Sequence, residues 1–400
     1  MRISTSSLYS TATTQLGTLQ SQMARTQQQL ATNRRMLSAA DDPVAAARAL
    51  EVTQSQSINA QYATNRQTAR AALSQEEITL TSVQNLIGDV QEISVAAANG
   101  TNSAQDRATY ANEVQGRLDD LIALANTSDG NGNYMFGGFK SGAKPFVQTN
   151  AGVQYVGDQG QVQLQVGSAR KVAINDAGSA VFGGIANGNG VFLTAGAGGN
   201  SGSGVISAGA VSDPSQLTGH SYELAFDPAG ANYTVKDTTT GTTTAPAPYT
   251  SGAPIVVAGM RFDIQGVPGA NDKFNVQPSD KQTLFATLSN LVATLRAPAN
   301  TTAEKDALSA GLVQAGANLN AGLDNVLSVR ASVGPRPRAV DALDDSGAGL
   351  DVQYAATLSD LQDIDLVKTY SLFTQQQVAL EAAQKSFKTM SSLSLFNYIG

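Results

Sequence analysis

The 400-residue sequence contains no cysteine, no tryptophan and one histidine, His220. The lack of cysteine excludes a disulfide framework, a thiolate zinc site and a cysteine nucleophile. A single histidine leaves little material for a histidine metal site or a catalytic triad. His220 itself precedes a predicted strand, where a surface turn is the favoured interpretation. We therefore expect no enzyme, and no catalytic residue, cofactor or metal site.

Charge and long apolar runs are also scarce. Charged residues make up 14% of the chain, against roughly 25% in an average domain, and the net charge is −7. An acidic chain lacks the basic footprint that nucleic-acid binding requires. No run of about 18 apolar residues occurs, and the N-terminus lacks the apolar segment of a signal peptide. We expect no membrane span and no cleaved signal, and a surface this poor in charge suggests that partners cover it.

The N-terminal part is predicted to be helical. Thr5 to Leu37 contains no proline and one glycine, which indicates one long helix. Asp42 and Pro43 supply an N-cap and a first helical residue for a second helix ending at Asn99. A third helix is expected from Ala104 to Asn126. Apolar residues at heptad positions of the first helix are Leu16, Leu19, Met23, Leu30 and Leu37.

Helical periodicity returns at Leu284, and Thr301 with Glu304 forms a capping-box signature for the next helix. Gly334, Pro335 and Pro337 are expected to end that helix before a last one begins. The last helix carries apolar residues at heptad positions, namely Leu366, Phe373, Leu380, Ala383, Phe387 and Met390. The two chain ends therefore bear matching apolar stripes, which predicts that they pair as an antiparallel coiled coil.

Polar residues interrupt both stripes. Thr26, Asn33 and Gln376 occupy d positions, and polar d positions weaken a two-helix contact. This favours burial shared among several neighbouring subunits. The alternative, that the stripes form only the core of an internal bundle, remains open because most helical stripes have that role.

The region from Thr127 to Pro278 has a different composition. Gly, Asn, Thr and Pro interrupt short alternating segments such as Val162 to Val166 and Tyr222 to Phe226, which have the period of half-buried strands. The predicted fold class is α+β: a long antiparallel helical rod and coiled coil built from both chain ends, with an inserted mainly-β outer domain. The predicted domains are 1–40 with 360–400, 41–139 with 281–359, and 140–280, where a Gly-rich stretch at 182–209 is the candidate boundary between two lobes.

Few residues suggest chemistry. Asp129 opens a segment like a calcium loop, but Tyr134 and Lys140 occupy positions where glycine and glutamate are required. The glycines near 183 and 198 lack the lysine of a phosphate-binding loop. Carboxylates that a glycosidase hidden in the β region could use are present without recognisable spacing, at Asp227, Asp237, Asp263 and Asp272. A secreted enzyme is thus an unfavoured alternative.

Four segments carry a resemblance to a known family. They are Met1 to Thr5, the Leu37 to Ala46 segment with Asp41, Asp42 and Pro43, the Asn133, Tyr134, Met135, Phe136, Gly137, Gly138 segment, and the ending with Phe396, Asn397, Tyr398 and Ile399. Together they resemble the flagellin superfamily, and within it the hook-associated proteins. Flagellin itself is the alternative, but it normally lacks a proline at position 43 and the ending found here. The family's Gly-x-Arg-x-Asn pattern appears as Gly334, Arg336 and Arg338, so Arg338 departs from it.

The resemblance implies a structural adaptor of the bacterial flagellum at the hook-filament junction. Its implied partners are copies of itself in a ring, another hook-associated protein, flagellin and an export chaperone that binds the C-terminal helix. It also implies export through the flagellar type III apparatus without a cleaved signal, and an extracellular location. A needle-tip or translocator protein of a related secretion system is less favoured, because such a protein is not expected to carry matched motifs at both ends.

Overall fold

The computed structural model describes residues 5–130 and 132–392. Helices lie at both ends of the chain, with strands between them, so the predicted α+β class with a central β region is confirmed. The N-terminal helices are α1 (Thr5–Thr32), α2 (Pro43–Ala97) and α3 (Ala104–Ala125). After the strands and the short α4 (Gly178–Phe182) come α5 (Leu284–Arg296), α6 (Thr302–Val333), α7 (Pro335–Gln362) and α8 (Leu366–Ser392).

The first helix is shorter than predicted. α1 ends at Thr32, and Asn33 adopts a left-handed conformation with φ 54°, which asparagine tolerates better than most residues. The N–H of Arg34 then donates to the carbonyl of Gln29 at 3.2 Å, the long bond of a Schellman-type helix end. The prediction that the helix continues to Leu37 is wrong, and Leu37 lies in the segment between α1 and α2.

The predicted end of the helix at Gly334 is confirmed, because α6 ends at Val333 and α7 begins at Pro335. Gly334 keeps helical angles, φ −52° and ψ −33°, and its N–H donates to the carbonyl of Arg330 at 2.9 Å. Pro335 and Pro337 are tolerated because they lie in the first turn of α7, where backbone N–H groups have no partner within the helix. A further break, which the sequence did not predict, lies between α7 and α8, where the Asp365 side chain accepts the N–H of Lys368 at 3.0 Å as an N-cap.

Backbone contacts divide the chain into two compact units, one containing residues up to 64 and from 342 onward, the other residues 65–341. In the first unit, α1 packs against α8. Tyr9 near the start of α1 meets Phe387 near the end of α8, with ring centroids 4.8 Å apart, so the two helices are antiparallel. The predicted three-part domain division stays a prediction.

In the second unit, α5 packs against α3 and α6. The core contains buried leucines and valines of α2, α3 and α5, whose apolar faces follow helical spacing. Gly311 and Gly322 allow α6 to approach α5 closely. A Cβ at Gly311 would lie 2.6 Å from the Thr294 side chain, and a Cβ at Gly322 would lie 2.3 Å from the Leu284 side chain.

The first strands form two hairpins: β1 (Phe146–Thr149) pairs with β2 (Gly152–Tyr155), and β3 (Gln163–Gly167) with β4 (Arg170–Ala173). The short β5 (Ile185–Ala186) pairs with β15 (Lys281–Gln282), so the chain enters and leaves the next region at adjacent points. Aromatic rings of the hairpin region pack with α5. The centroid of Phe146 lies 5.0 Å from that of Phe285, and Phe182 lies 5.7 Å from Phe285.

Between β5 and β15 lies a two-sheet module with its own core. One sheet has the order β11-β10-β9-β14-β6 and the other β12-β13-β7, with β8 also pairing with β13. The remaining bounds are β6 (Phe192–Gly196), β7 (Val205–Ile206), β8 (Ala210–Val211), β9 (Tyr222–Phe226), β10 (Asn232–Asp237), β11 (Ala247–Pro248), β12 (Pro254–Val257), β13 (Met260–Gln265) and β14 (Lys273–Pro278). Leu224, Phe262, Ile264 and Phe274 are among the buried residues between the sheets.

Candidate functional site

The apolar stripes predicted at the two chain ends face each other along the contact between α1 and α8, which we call the seam. Eight of the predicted residues are half-buried or buried there, namely Leu16, Leu19, Met23 and Leu30 on α1 and Phe373, Leu380, Ala383 and Phe387 on α8. Leu380 is 8% exposed and the polar Thr26 is 3% exposed. Thr26 satisfies its hydroxyl within α1 by donating to the carbonyl of Gln22 at 3.0 Å. A polar residue thus occupies the most buried point of the seam.

Three residues predicted for the seam are exposed. Leu37 is outside α1 and 37% exposed, Leu366 at the start of α8 is 56% exposed, and Met390 near its end is 37% exposed. Helical spacing places another set on the side of α8 away from the seam, where Val367, Tyr370 and Val378 are exposed. These three residues form an apolar strip that we call the outer face of α8.

The segment between α1 and α2 is organised by two aspartates. One carboxylate oxygen of Asp41 accepts the N–H groups of Leu37 at 2.9 Å and Ser38 at 3.1 Å, and the other lies 2.8 Å from the guanidinium of Arg25. The two N–H groups, together with Arg25, lower the pKa of Asp41. Asp41 therefore holds a tight turn closed while pairing with a charge on α1.

Asp42 performs a different task. Its Oδ1 accepts the N–H of Ala45 at 3.0 Å, so it is the N-cap of α2, followed by Pro43 at the first helical position. Its Oδ2 lies 3.2 Å from Arg35, and the Ala45 N–H and Arg35 both lower its pKa. Arg35 also donates to the carbonyl oxygen of Leu361 at 2.9 Å, and its N–H to that of Gln362 at 2.6 Å. Arg35, held by Asp42 of the Asp-Asp-Pro motif, thus connects the segment between α1 and α2 with the end of α7.

The Asn133 to Gly138 segment forms a compact turn before the first hairpin. Asn133 pairs with Asp129, and the Tyr134 N–H donates to Ser141, while Phe136 is fully buried against Phe182. Gly138 has φ +68°, and a Cβ there would lie 2.2 Å from the Asp158 carboxylate, so only glycine fits. The backbone of this turn therefore lies close to Asp158 and to residues 175–178.

Residues 175–178 connect the Asn133 to Gly138 segment with Arg336 of the Gly-x-Arg pattern. The side-chain amide of Asn175 donates to the carbonyl of Gly138 at 3.2 Å, and the N–H of Gly178 donates to that of Phe136 at 2.9 Å. Between them, Asp176 accepts both terminal nitrogens of Arg336, at 2.8 and 3.1 Å. A bidentate pair of this kind suits arginine and explains the residue type at position 336. Gly334 and Arg338 are not part of this contact, and Arg338 lies within α7.

The Asp176 backbone N–H donates in turn to Glu76 of α2 at 3.0 Å. Glu76 is fully buried, and its second carboxylate oxygen has no hydrogen-bond partner within the part of the chain that the structure describes. Burial raises the pKa of Glu76 to about 8, an effect to which Asp176 adds and which Arg336 opposes.

The four carboxylates weighed for an enzyme are each engaged by nearby turns. Asp227 accepts from Ala231 and Asn232, and Asp263 accepts the hydroxyl of Ser207 at 2.7 Å. Asp237 binds His220 at 2.7 Å, and Asp272 accepts the N–H groups of a neighbouring loop. Burial alone raises the pKa of Asp237, but hydrogen bonds from Thr240 and His220 outweigh it and lower the pKa to about 2. These contacts assign each carboxylate a structural role.

Two kinds of feature are absent from the described residues, 5–130 and 132–392. No helix there combines the length and apolar character needed to cross a membrane. Within the same ranges, no three His, Asp or Glu side chains converge as ligands of a metal ion. The C-terminal motif residues Phe396, Tyr398 and Ile399 lie outside the described residues.

Sequence reasoning missed Arg25, Arg35, Glu76 and Asp176. The N-terminal arginines had a detectable signal, because Arg34 and Arg35 stand near Asp41 and Asp42 in a segment otherwise poor in charge. Glu76 fell on the apolar face of the predicted second helix, where a charged residue is unusual. Asp176 gave no signal, because its partners are far away in the sequence.

Comparison with known proteins gives a consistent result. The family description "Bacterial flagellin N-terminal helical region" matches residues 3–141, and "Flagellar hook-associated protein 1, D2-like domain" matches residues 196–278. The chain is similar to flagellar hook-associated protein 3 of Salmonella typhimurium, with 30% identity over 397 residues, 99% of each chain.

Two crystal structures are also similar. One is FlgL from Xanthomonas campestris, 28% identical with a TM-score of 0.73, covering 77% of this chain and 99% of that one. The other is the flagellar junction protein FlgL from Legionella pneumophila, 30% identical with a TM-score of 0.71, covering 79% and 100%. The likeness extends over the full length of the curated relative and nearly all of each crystallised chain.

Proposed function

The chain belongs to the flagellar hook-associated protein 3 family, and from this premise we propose that it is a structural adaptor subunit joining the hook to the flagellin filament. One observation carries the proposal: the similarity to a hook-associated protein 3 extends over 99% of both chains. A flagellin subunit is disfavoured for the same reason. The relatives are structural flagellar proteins, which is consistent with a protein that is not an enzyme.

The decisive experiment is deletion of the gene. Electron microscopy of the deletion strain should show hooks without filaments, and flagellin should appear in the culture medium. Complementation with the wild-type gene should restore filaments. Normal filaments in the deletion strain would overturn the junction assignment and favour a flagellin subunit or an accessory role instead.

We propose that the partners are neighbouring copies of this chain, another hook-associated protein and flagellin, and that an export chaperone covers α8 before assembly. Association with other flagellar components follows from the family. The finer assignment is supported by the apolar character of both surfaces of α8. Export through the flagellar type III apparatus without a cleaved signal, and an extracellular position at the junction, belong to the same proposal.

The seam brings α1 and α8 together within one chain, and the outer face of α8 is the apolar surface left for neighbouring subunits. Val367 and Val378 are 83% and 61% exposed. Apolar residues at such exposure on one side of a helix are typical of a surface that a partner covers. We propose that the residues of the seam and of the outer face both act in assembly. The seam holds α1 and α8 together, and the outer face contacts the next subunit.

This interface is tested with a matched pair of variants. Val378→Asp places a charge on the outer face, whereas Gln375→Asp places the same charge at another exposed position of α8. Both variants should keep the helical content of the wild type. We expect Val378→Asp to abolish filament formation in the deletion strain and Gln375→Asp to support it. Equal activity of the two would remove the outer face from the assembly interface.

The predicted three-part domain division is retained as a proposal, with one refinement. β1 contributes Phe146 and α4 contributes Phe182 to the aromatic cluster with Phe285, so the hairpins and α4 are part of the helical unit's core. The removable portion is therefore the two-sheet module, which begins after Asn187 and ends before Asp280, where the Asn187 N–H donates to the Asp280 carbonyl at 2.9 Å. A chain rejoined there by a short Gly/Ser linker should still be exported and support filaments. Failure of that folded variant to support filaments would assign the module a part in docking.

A further inference from the structure

A group of three charged residues has no role in the contacts proposed for assembly, and its two carboxylates are buried. Arg336 gives both terminal nitrogens to Asp176, which is 5% exposed, and Asp176 gives its N–H to the fully buried Glu76. One guanidinium is thus available for two carboxylates, and in the described structure it bonds Asp176 and forms no side-chain hydrogen bond with Glu76. A buried site with this composition carries a net negative charge unless one carboxyl holds a proton.

Other charged groups nearby are engaged elsewhere. Glu77, the next residue of α2, faces α6 and pairs with Arg330 at 2.6 Å. Arg66, earlier on α2, donates to the carbonyl of Val166 at 3.1 Å. The groups that act electrostatically on Glu76 are Asp176, from the segment before α4, and Arg336, from the first turn of α7. Since Arg336 is already committed to Asp176, the carboxyl that retains its proton is that of Glu76.

The segment from Ile174 to Phe182 is the structural piece that these residues hold. Its Asn175 bonds the glycine turn at Gly138, and Asn325 of α6 donates to the carbonyls of Ala180 and Val181 at 2.9 and 2.8 Å. Phe182 at its end enters the aromatic cluster. This segment therefore connects α2, α6 and α7 with the hairpin region.

We propose that Glu76, Asp176 and Arg336 form a proton-dependent latch that fastens segment 174–182 to helices α2 and α7, and that loss of the Glu76 proton opens it. Ionised Glu76 would place an uncompensated negative charge beside the Asp176–Arg336 pair, at a position that is itself fully buried. The latch is independent of the junction function, because its contacts lie within one chain.

The direction of the pH effect follows from linkage. Burial and Asp176 raise the pKa of Glu76 from 4.5 to about 8, so the folded form binds the proton more tightly than the open form. The latch is fully stabilised below about pH 4.5, and its stability falls as the pH rises toward 8. Between pH 5.5 and 8 the population with the latch open should increase on the order of a hundredfold.

Hydrogen exchange on the full-length protein tests this directly. In the wild type, the protection factors of amides 176–182 should fall on the order of a hundredfold between pH 5.5 and 8. In Glu76→Gln, which keeps the acceptor for the Asp176 N–H and cannot ionise, they should stay nearly constant. The matched control is Glu77→Gln. Glu77 is the next residue of α2 and its carboxylate faces Arg330, so this variant should retain the wild-type dependence of protection on pH. His220→Asn should also retain it, which excludes the protein's single histidine as the source.

A second measurement needs no variant. In the wild type labelled with ¹³C at glutamate side chains, the carboxyl resonance of Glu76 should titrate with a midpoint near pH 8. A midpoint below pH 6, or the same exchange slope in the wild type and Glu76→Gln, would overturn the proposal. Loss of protection in Glu76→Gln already at pH 5.5 would overturn it as well, because a neutral side chain would then have failed to hold the segment.

Discussion

Arg35 donates from its guanidinium to the backbone carbonyl oxygen of Leu361 at 2.9 Å, which connects the break between α1 and α2 with the end of α7. The neighbouring Arg34 forms a backbone bridge with Asp363, in the break between α7 and α8. The two interruptions of the helical chain therefore lie side by side within one unit. Asp41 and Asp42 stabilise this arrangement, because each accepts backbone N–H groups of the local turn and pairs with an arginine.

Replacement of Asp42 by alanine should loosen the start of α2. The change removes the N-cap bond to Ala45, which stabilises the first turn of the helix, and an exposed pair with Arg35 that contributes less. Exchange of the amides at 45–47 should accelerate about fivefold. Asn at position 42 keeps a capping oxygen, so Asp42→Asn should recover most of the protection. Equal exchange in Asp42→Ala and the wild type would show that the cap is unimportant here.

The same segment should weaken in acid. Hydrogen bonds from Leu37 and Ser38 lower the pKa of Asp41, and the Ala45 N–H lowers that of Asp42. A depressed pKa in the folded protein means that the stability is fully present above the ordinary value of about 4 and is lost as the pH falls below it. Protection of the Leu37 and Ser38 amides should thus decrease between pH 5 and 3. In Asp41→Asn that decrease should be much smaller, and an identical decrease would point to another carboxylate.

The seam should respond to the size and polarity of its most buried members. Leu380→Ala removes packing from a side chain that is 8% exposed and should destabilise the α1–α8 pair by about 2 kcal/mol. Val378→Ala, on the outer face, should change it by less than about 0.5 kcal/mol. Thr26→Val replaces a buried hydroxyl by a methyl group and should strengthen the pair. Exchange of amides in the middle of α8 measures all three, and a loss of protection in Thr26→Val would contradict this view of the seam.

Two glycines of α6 offer a matched comparison. A methyl group added at Gly316 would meet no atom within 4 Å, so Gly316→Ala should stabilise the helix by roughly 0.5–1 kcal/mol. Gly322→Ala would place its Cβ 2.3 Å from Leu284, which is itself fully buried. That variant should gain nothing or lose stability through overpacking. Urea denaturation of the two variants decides the matter, since equal stabilisation would show that α5 can move aside.

Local signals in the sequence predicted most of the fold. The N-cap at Asp42, the capping box of Thr301 and Glu304, and the alternation in Tyr222 to Phe226 each act through neighbouring residues, and all three appear as expected. One error arose where a residue type permits two outcomes, because Asn33 could have continued the helix but took a left-handed conformation. The other error is the break between α7 and α8, which no glycine or proline marks in the sequence.

The candidate site was predicted only in part. Heptad spacing identified the seam, because the spacing is local, and resemblance identified the motif residues. The pairing of Arg336 with Asp176 and the burial of Glu76 depend on contacts between segments 100 or more positions apart, such as Glu76 and Asp176. No local pattern records which distant carboxylates will share one arginine.

The pairing of β5 with β15 has a consequence for the history of such chains. Once Ile185 lies beside Gln282, the ends of the two-sheet module are fixed at one place, and the rest of the fold is insensitive to what is strung between them. The entropy of closing a loop grows only with the logarithm of its length, by about 0.6 kcal/mol for each doubling. Insertions and deletions between these two strands should therefore be inexpensive, and we expect length differences among relatives to accumulate there rather than in the helices.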